Sequence, residues 1–380
     1  MILEDVITLA QKLISFDTST AEGNESGIAM YVGGLLSENG FKIQYDLLSP
    51  ERLTLIAEKG ITSDVPPLVM TGHFDTVPLG AKPWTENPFS GMIKEGKIYG
   101  RGSSDMKGGL AAMICAAVQA FRETTPRGGI RLILTAGEEP GCIGAKHLAD
   151  TCSDIGRAGA IVVGEPTSNI PATGHKGALY LTVSATGKTA HSSMPEKGDN
   201  AIYKVAKAIT KIEKFRFNAE HDTLHGFPTI NVGLIRGGKN LNSVPDHAEF
   251  TIDIRSTTKV SHAELLERLS LEMGPEVSIK KLVDLMPVST SESNPFVGLV
   301  YDACGLNLNK GTDHKSLPYM TDGGVLQPLY GGVPTVILGP GQPEMAHQTD
   351  EFCYTEKIRQ AVTIYKNIIL KYGGIYDKIS

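Results

Sequence analysis

The chain has 380 residues, more than one hydrophobic core usually fills, so its length predicts two domains. Hydrophobic residues make up 41% of the chain and charged residues 21%, as is typical of a globular protein. The 36 basic and 42 acidic side chains give a net charge of -6, and no block of like charge stands out. This charge pattern favours neither nucleic acid nor an anionic membrane as a partner.

The five cysteines are widely spaced and include no C-x-x-C pair. This spacing argues against both a disulfide framework and a thiolate zinc site, and it is typical of a protein in a reducing cytosol. The opening segment carries acids where a signal peptide would carry bases. Its apolar residues follow helical spacing and predict an amphipathic helix with Leu3, Val6, Ile7, Ala10, Leu13 and Ile14 on one face. No apolar run approaches the roughly 20 residues of a membrane span, so we expect a cytoplasmic protein.

Up to about residue 176, short apolar strands alternate with helices such as 109–122. This alternation predicts an α/β fold, in which a mixed, mostly parallel sheet is flanked by helices. The predicted buried strands are 53–57, 67–73, 131–137 and 160–165. Three of them lead directly into candidate metal ligands. Because ligand sites gather at the carboxyl ends of strands in such sheets, we expect these side chains to share one site.

From about residue 178 the pattern changes to β-α-β-β-α-β, the element order of a ferredoxin-like module. The predicted helices are 200–215 and 262–273, and the predicted strands are 180–187, 229–235, 248–255 and 277–282. The α/β pattern then resumes, with a strand near 335–340 and a closing helix over 355–372. The sequence therefore predicts a first domain of 1–177 and 288–380, with a second domain of 178–287 inserted into it.

Candidate metal ligands stand in five separate turns. In chain order they are His73, Asp105, the adjacent pair Glu138 and Glu139, Glu165, and His347. Taken singly, each of these residues has a structural explanation that involves no metal, since single histidines are seldom ligands and an aspartate before a helix is often a cap. Together the imidazoles and carboxylates suffice for two divalent ions that share one carboxylate. We predict zinc, with cobalt as the alternative.

The residues next to the ligands indicate hydrolytic chemistry. One of the two adjacent glutamates can bind metal while its neighbour acts as general base for an attacking water, although their order does not decide which does which. Asp75, two residues after His73, could accept the second ring proton of that histidine. The sequence contains neither a G-x-S-x-G elbow for serine hydrolysis nor a G-x-G-x-x-G dinucleotide motif.

These motifs resemble the di-zinc family of acetylornithine deacetylases, succinyl-diaminopimelate desuccinylases, aminoacylases and glutamate carboxypeptidases. The resemblance runs nearly end to end through G-H-F-D-T-V-P, W-T-E-N-P-F, G-K-I-Y-G-R-G-S-S-D-M-K-G-G, G-E-P-T and A-H-Q-T-D-E. It implies that Asp105 bridges two metals, that Glu138 is the base, and that a cis peptide joins Asp105 to Met106. The remaining metal ligands that it implies are His73, Glu139, Glu165 and His347.

The resemblance also makes the inserted segment a lid and dimerisation domain. It implies that His191 stabilises the developing oxyanion, often from a partner subunit, and that Asn242 and Arg255 hold the substrate carboxylate. Without the resemblance, His191 would be interpreted as a surface histidine and Arg255 as a surface charge at the end of a strand. Gly323 and Gly324 either shape the pocket wall or are plain turn glycines.

Three further positions bear on the comparison with this family. Position 165 is a glutamate, as in the deacylase members, whereas dipeptidase and aminopeptidase members tend to carry aspartate there. Gly137 stands where many relatives carry an acid, and Pro140 directly after Glu139 is unusual as well.

The predicted activity is hydrolysis of the amide bond of an N-acyl amino acid. N-acetylornithine is the favoured substrate, because G-E-P-T-S, the H-K-G after it and A-H-Q-T-D-E look closest to that group. A succinyl-diaminopimelate desuccinylase, a general aminoacylase and a dipeptidase or carboxypeptidase remain open as alternatives. The resemblance also implies a homodimer formed through the inserted domain. A non-catalytic binding protein is disfavoured, because it would have no need of a free base beside the metals.

Overall fold

The computed structural model describes residues 5–19, 23–152, 155–308 and 316–376. The helices are α1 Val6–Ile14, α2 Ser26–Glu38, α3 Gly108–Glu123, α4 Ile143–Thr151, α5 Ala201–Lys214, α6 His262–Met273, α7 Pro295–Ala303, α8 Gly323–Leu329 and α9 Thr355–Tyr372. The strands are β1 Lys42–Ser49, β2 Arg52–Lys59, β3 Leu68–His73, β4 Ile93–Lys94, β5 Lys97–Tyr99, β6 Ile130–Thr135, β7 Ala160–Val163, β8 Gly174–His175, β9 Gly177–Thr186, β10 Thr229–Gly237, β11 His247–Ser256, β12 Ser278–Leu285, β13 Val288–Ser289, β14 Ser316–Leu317, β15 Thr335–Ile337 and β16 Phe352–Tyr354. Along the described residues, no helix combines the length and the apolar character that a membrane crossing requires.

The chain forms two compact units. The second unit comprises His175–Pro287 together with Ser316–Met320, and the first unit contains the chain before, between and after these segments. The second unit therefore takes in 316–320, a short segment for which the sequence pattern predicts the first domain.

The first unit is built on a six-stranded sheet in the order β1-β2-β6-β3-β7-β15. The pairings β6–β3, β3–β7 and β7–β15 are parallel, whereas β1–β2 and β2–β6 are antiparallel. The predicted fold class, a mixed and mostly parallel sheet between helices, is confirmed.

Apolar side chains on both faces of this sheet explain why helices cover both faces. In β6, Leu132 and Leu134 pack into the main core with side chains of α1, α2, α3, α7 and α9. Ile133 between them is also fully buried, and strand geometry points it to the opposite face. There α4 lies against β2, and α8 lies against β7.

The predicted opening helix is present as α1, with Asp5 as its N-cap and a hydrogen bond of 3.2 Å from Ile7 N to the Asp5 side chain. Val6, Ile7, Ala10 and Leu13 are buried, as the helical spacing predicts. Leu3, which was predicted to belong to this face, lies outside the described residues.

The second unit has the element order β9-α5-β10-β11-α6-β12, as predicted from the sequence. Its antiparallel sheet has the strand order β10-β11-β9-β12, so β10 and β12 are the edge strands. Asn200 caps α5 by accepting from Ile202 N at 2.9 Å, and Ser261 caps α6. A separate core joins the buried faces of α5 and α6 to the sheet.

Candidate metal centre

Three neighbouring strands of the first unit deliver candidate ligands to one edge of the sheet. β3 ends at His73, while β6 and β7 end shortly before the Glu138-Glu139 pair and Glu165. Since β6, β3 and β7 are adjacent and parallel, their carboxyl ends meet at the same edge. The strand topology thereby brings together side chains that are far apart in the sequence.

Asp105 lies between the two candidate histidine ligands. Its Oδ1 is 3.2 Å from Nε2 of His73, and its Oδ2 is 3.5 Å from Nε2 of His347. The peptide bond between Asp105 and Met106 is cis, as the family resemblance implies. A carboxylate whose two oxygens face different imidazoles is placed to be shared by two cations.

The cluster therefore divides at Asp105 into two halves. The inner half contains His73 and Glu165, with 3.7 Å between Nε2 and Oε1. The outer half contains His347 and Glu139, with 3.2 Å between Nε2 and Oε2. Ligand atoms of His73, Glu138 and Glu165 all lie within 4.8 Å of one another, so Glu138 lies beside the inner half. Those of His73, Asp105 and Glu139 do so as well, and the two halves therefore adjoin at Asp105.

Electrostatics of the inner half show that its carboxylates outnumber its positive charges. Burial raises the pKa of Glu165 to about 8, despite the neighbouring His73. Burial, and then Glu165, raises the pKa of Glu138 well above its usual value. Burial alone would lower the pKa of His73, but Glu165 and Asp105 outweigh it and raise that pKa well above normal.

The outer half shows the same excess of negative charge. Hydrogen bonds to Asp105 and Glu139 raise the pKa of His347 to about 10. Burial works to raise the pKa of Asp105, but the hydrogen bonds from His347 and His73 outweigh burial and hold it below its usual value. Divalent cations would supply the missing positive charge to carboxylates and imidazoles of the types that zinc accepts, so the residues present fit a two-metal centre.

Asp75 has a different role from the one predicted. Nδ1 of His73 donates to the backbone carbonyl oxygen of Asp75 at 2.8 Å, while the carboxylate Oδ1 is 3.6 Å away. The carboxylate instead accepts the backbone N–H groups of Glu138 and Glu139, each at 3.0 Å. The prediction that the carboxylate receives the ring proton is therefore wrong. Asp75 still leaves Nε2 of His73 free to bind metal, and it also holds the turn of the two glutamates.

Glu351, the last residue of the A-H-Q-T-D-E motif, holds the loop that carries Asp105. Its carboxylate is fully buried. It accepts hydrogen bonds from Arg101 Nη1 at 2.7 Å and from the backbone N–H groups of Gly102, Ser104 and Asp105 at 3.0, 2.8 and 3.0 Å. Its position four residues after the candidate ligand His347 was the only indication in the sequence that Glu351 belongs to the site. Its partners could be known only from the fold.

Of the predicted substrate residues, three belong to the second unit. His191 is exposed, with Nδ1 2.8 Å from Oγ of Ser193. Asn242 is exposed as well. Arg255 lies on β11, donates to both carboxylate oxygens of Asp253 at 2.9 and 3.2 Å, and stacks over the ring of Tyr180. The guanidinium is thus held in one orientation.

Gly323 and Gly324 are buried at the start of α8. A Cβ at Gly323 would lie 3.0 Å from Oγ1 of Thr321 and 3.3 Å from Cγ2 of Val163 in β7. This close approach of helix and strand explains the glycine at position 323.

Comparison of this sequence with known proteins agrees with the fold and the candidate metal centre. The profile of Peptidase family M20/M25/M40 matches residues 69–371. The chain is 30% identical to the "Probable succinyl-diaminopimelate desuccinylase" of Staphylococcus epidermidis, over 97% of this chain and 98% of the relative. It is 31% identical to the acetylornithine deacetylase of Vibrio cholerae, over 94% of each chain. The chain belongs to Peptidase family M20/M25/M40 and is a metal-dependent hydrolase.

Solved structures share its fold. An M20 family metallo-carboxypeptidase from Sulfolobus solfataricus superposes with a TM-score of 0.78 at 18% identity, over 97% of this chain and 99% of that chain. A tripeptidase from Staphylococcus aureus superposes with a TM-score of 0.71 at 24% identity, over 98% and 99%. At these identities the likeness concerns the fold alone.

Proposed function

We propose that this protein removes the acyl group from an N-acyl amino acid, using two divalent metal ions and Glu138 as the general base. The observation that carries this proposal is the division of one ligand cluster into two halves at Asp105, with Glu138 beside the inner half. A protein that only bound its ligand would need no spare carboxylate at that position.

The chain's own residues divide the work between binding and proton transfer. When bound, zinc or cobalt would polarise the scissile carbonyl and make a water molecule more acidic. Glu138 accepts the proton of the attacking water and returns it to the departing amine. Burial and the neighbouring Glu165 raise its pKa, which makes the Glu138 carboxylate a stronger base than an exposed glutamate.

The substrate's amino acid carboxylate is the proposed partner of Arg255, with Asn242 beside it, and His191 is the proposed donor to the developing oxyanion. The bidentate pair with Asp253 supports this role for Arg255, because it presents the guanidinium in a fixed orientation before substrate arrives. Gly323 and Gly324 are proposed to form part of the pocket wall.

N-acetylornithine is the first candidate substrate, on the strength of the G-E-P-T-S and A-H-Q-T-D-E motifs. N-succinyl-diaminopimelate is the second candidate, because several relatives at about 30% identity carry the name of that desuccinylase. Both are linear amides of an amino acid, so both suit the same cluster.

A homodimer through the second unit is part of this proposal. The edge strand β10 exposes Leu234 and Ile235, which are 54% and 57% accessible, and Leu241 just beyond it is fully accessible. An unpaired strand edge that carries apolar side chains is suited to pair with a second copy. Sedimentation should show a dimer, and charged substitutions at Leu234 and Ile235 should weaken it. A fully active monomer would refute an arrangement in which His191 acts in the partner subunit.

The activity is tested by measuring free amine released from N-acetyl, N-succinyl and dipeptide substrates, on protein loaded with zinc or cobalt. We expect turnover of N-acetylornithine above all others. Preference for the succinyl compound would move the assignment to the second candidate. Absence of turnover on every amide, with two metals bound, would overturn the proposal.

A further inference from the structure

Arg52, the first residue of β2, runs between two glycine backbones. Gly23 and Gly137 both have positive φ, of +88° and +65°. A Cβ at Gly137 would lie 2.6 Å from Nη1 of Arg52 and 2.5 Å from Cγ1 of Ile143, and a Cβ at Gly23 would meet Nε of the same arginine. No side chain therefore fits at either glycine while the guanidinium stays in place.

Glu25 holds the Arg52 guanidinium in its position between Gly23 and Gly137. Nη1 of Arg52 donates to Oε1 of Glu25 at 3.1 Å, with side-chain exposures of 8% and 0%. Glu25 is itself held, because its backbone N–H and that of Ser26 donate to the carbonyl oxygen of Glu51 at 2.8 and 3.1 Å. A buried and hydrogen-bonded pair of this kind allows the arginine little freedom.

Gly137 directly precedes Glu138, so the guanidinium lies against the turn that carries the general base. Asp75 holds the same turn through the N–H groups of Glu138 and Glu139. Burial and the nearby Asp75 carboxylate raise the pKa of Glu25 to about 7, so the acid that orients Arg52 is electrostatically linked to the acid that holds the turn. The turn is therefore supported by Asp75 at its amides and by Arg52 at Gly137.

We propose that Arg52, oriented by Glu25, is a positioning residue for the turn of Glu138 and Glu139. The inference rests on the proposed role of Glu138 as base. A side chain at Gly137 would collide with this guanidinium as well as with Ile143. A consequence of this positioning role is that the segment around Gly23 and Glu25 controls the placement of a base more than 100 residues away in the chain.

The first test replaces Arg52 by alanine. A misplacement of about 1 Å can cost about 100-fold in rate, so we expect kcat to fall about 10- to 100-fold, with KM within about twofold and metal content unchanged. Guanidinium ion, added well below denaturing concentration, should restore part of kcat in Arg52→Ala and none in the unaltered protein. Arg52→Lys, which keeps the charge without the planar fork, should fall between the two.

The matched control is Arg131→Ala. Arg131 is also buried and pairs with Glu58 at 2.6 Å, but it lies near the start of β6, at the opposite end of the strand from Glu138. We expect this variant to lower the melting temperature while leaving kcat unchanged. An equal loss of kcat in both variants would mean that Arg52 acts only through stability, and this outcome would overturn the inference.

The second test needs no substrate. Backbone hydrogen exchange, followed by mass spectrometry, should become faster in the peptide spanning 137–142 of Arg52→Ala, with exchange in β7 and α9 unchanged. Unchanged exchange in 137–142 would overturn the inference even if the enzyme is active. If the unaltered protein proves inactive, only the proposed function is overturned. The exchange measurement would still test whether Arg52 holds the turn. If Arg52→Ala does not fold, Glu25→Gln provides the same two measurements with the arginine present.

Discussion

The inner and outer halves of the candidate centre use the same kinds of ligand in very different surroundings. Each half has one histidine and one glutamate as its proposed ligands, and both share Asp105, while Glu138 lies beside the inner half as the proposed base. The His73 side chain is 1% exposed, whereas that of His347 is 54% exposed. Glu165 and Glu139 differ in the same direction, at 6% and 15%.

This difference follows from the elements that carry the ligands. His73 and Glu165 stand at the ends of central parallel strands, whose backbones are fixed by neighbours on both sides. His347 stands in a loop, in a left-handed conformation with φ of +64°. Since buried charges must be neutralised and exposed charges are screened by water, the inner half has the greater need of a bound cation. We therefore expect the outer metal to exchange more readily than the inner one.

The largest effect is expected for Glu138→Gln. The variant keeps the shape of the side chain but cannot accept a proton, so kcat should fall about 100- to 10,000-fold. Metal analysis should still find two ions per chain, since Glu138 is not among the proposed ligands. Near-normal turnover would refute the assignment of the base, and loss of the inner metal would make Glu138 a ligand instead.

The histidine pair tests the comparison directly. His347→Ala should lose the outer ion and keep one ion, whereas His73→Ala should impair the inner site and, through the shared Asp105, weaken the outer site as well. Loss of a ligand should exceed the roughly 10- to 100-fold drop in affinity that follows loss of a supporting hydrogen bond. Equilibrium dialysis against zinc measures both variants. Equal loss from the two would show that burial does not distinguish the halves.

Glu351→Gln should affect both halves, because Glu351 holds the loop of the shared Asp105. The variant leaves the buried guanidinium of Arg101 without its charged partner, which typically costs about 3–5 kcal/mol in the free energy of unfolding. We expect metal affinity to fall about 10- to 100-fold at both sites, as for the loss of other supporting partners. Urea unfolding and zinc titration would measure the two effects. A change at one site alone would contradict the shared role.

The pH dependence of metal binding tests a property that the two halves share, a histidine whose pKa is raised by neighbouring carboxylates. Hydrogen bonds to Asp105 and Glu139 raise the pKa of His347 to about 10, so without metal its imidazole is protonated at pH 7. Glu165 and Asp105 raise the pKa of His73 as well. A metal needs the unprotonated nitrogen, so binding releases protons and the apparent affinity rises with pH up to about 10. Calorimetry in two buffers of different ionisation enthalpy counts the released protons. His347→Ala should release fewer, and no difference would contradict the protonated state.

Local patterns were sufficient for much of the fold. The helices predicted over 262–273 and 355–372 have these bounds in the structure, because apolar periodicity and flanking residues act within a few turns of chain. The β-α-β-β-α-β order of the second unit was predicted for the same reason. The prediction for the Asp75 carboxylate failed, because two backbone amides from a turn more than 60 residues away compete for it.

The sequence alone determined which residue types could bind metal, the strands that bring three of the ligand positions to one edge, and the family to which the chain belongs. Only the tertiary structure decided which histidine is buried, which donors surround Glu351, and how Arg52 passes between Gly23 and Gly137. Burial and contacts of this kind join residues up to 250 positions apart, and they depend on the packing of whole elements. No local pattern encodes them, because the sequence near each residue does not reveal which distant segment will cover it.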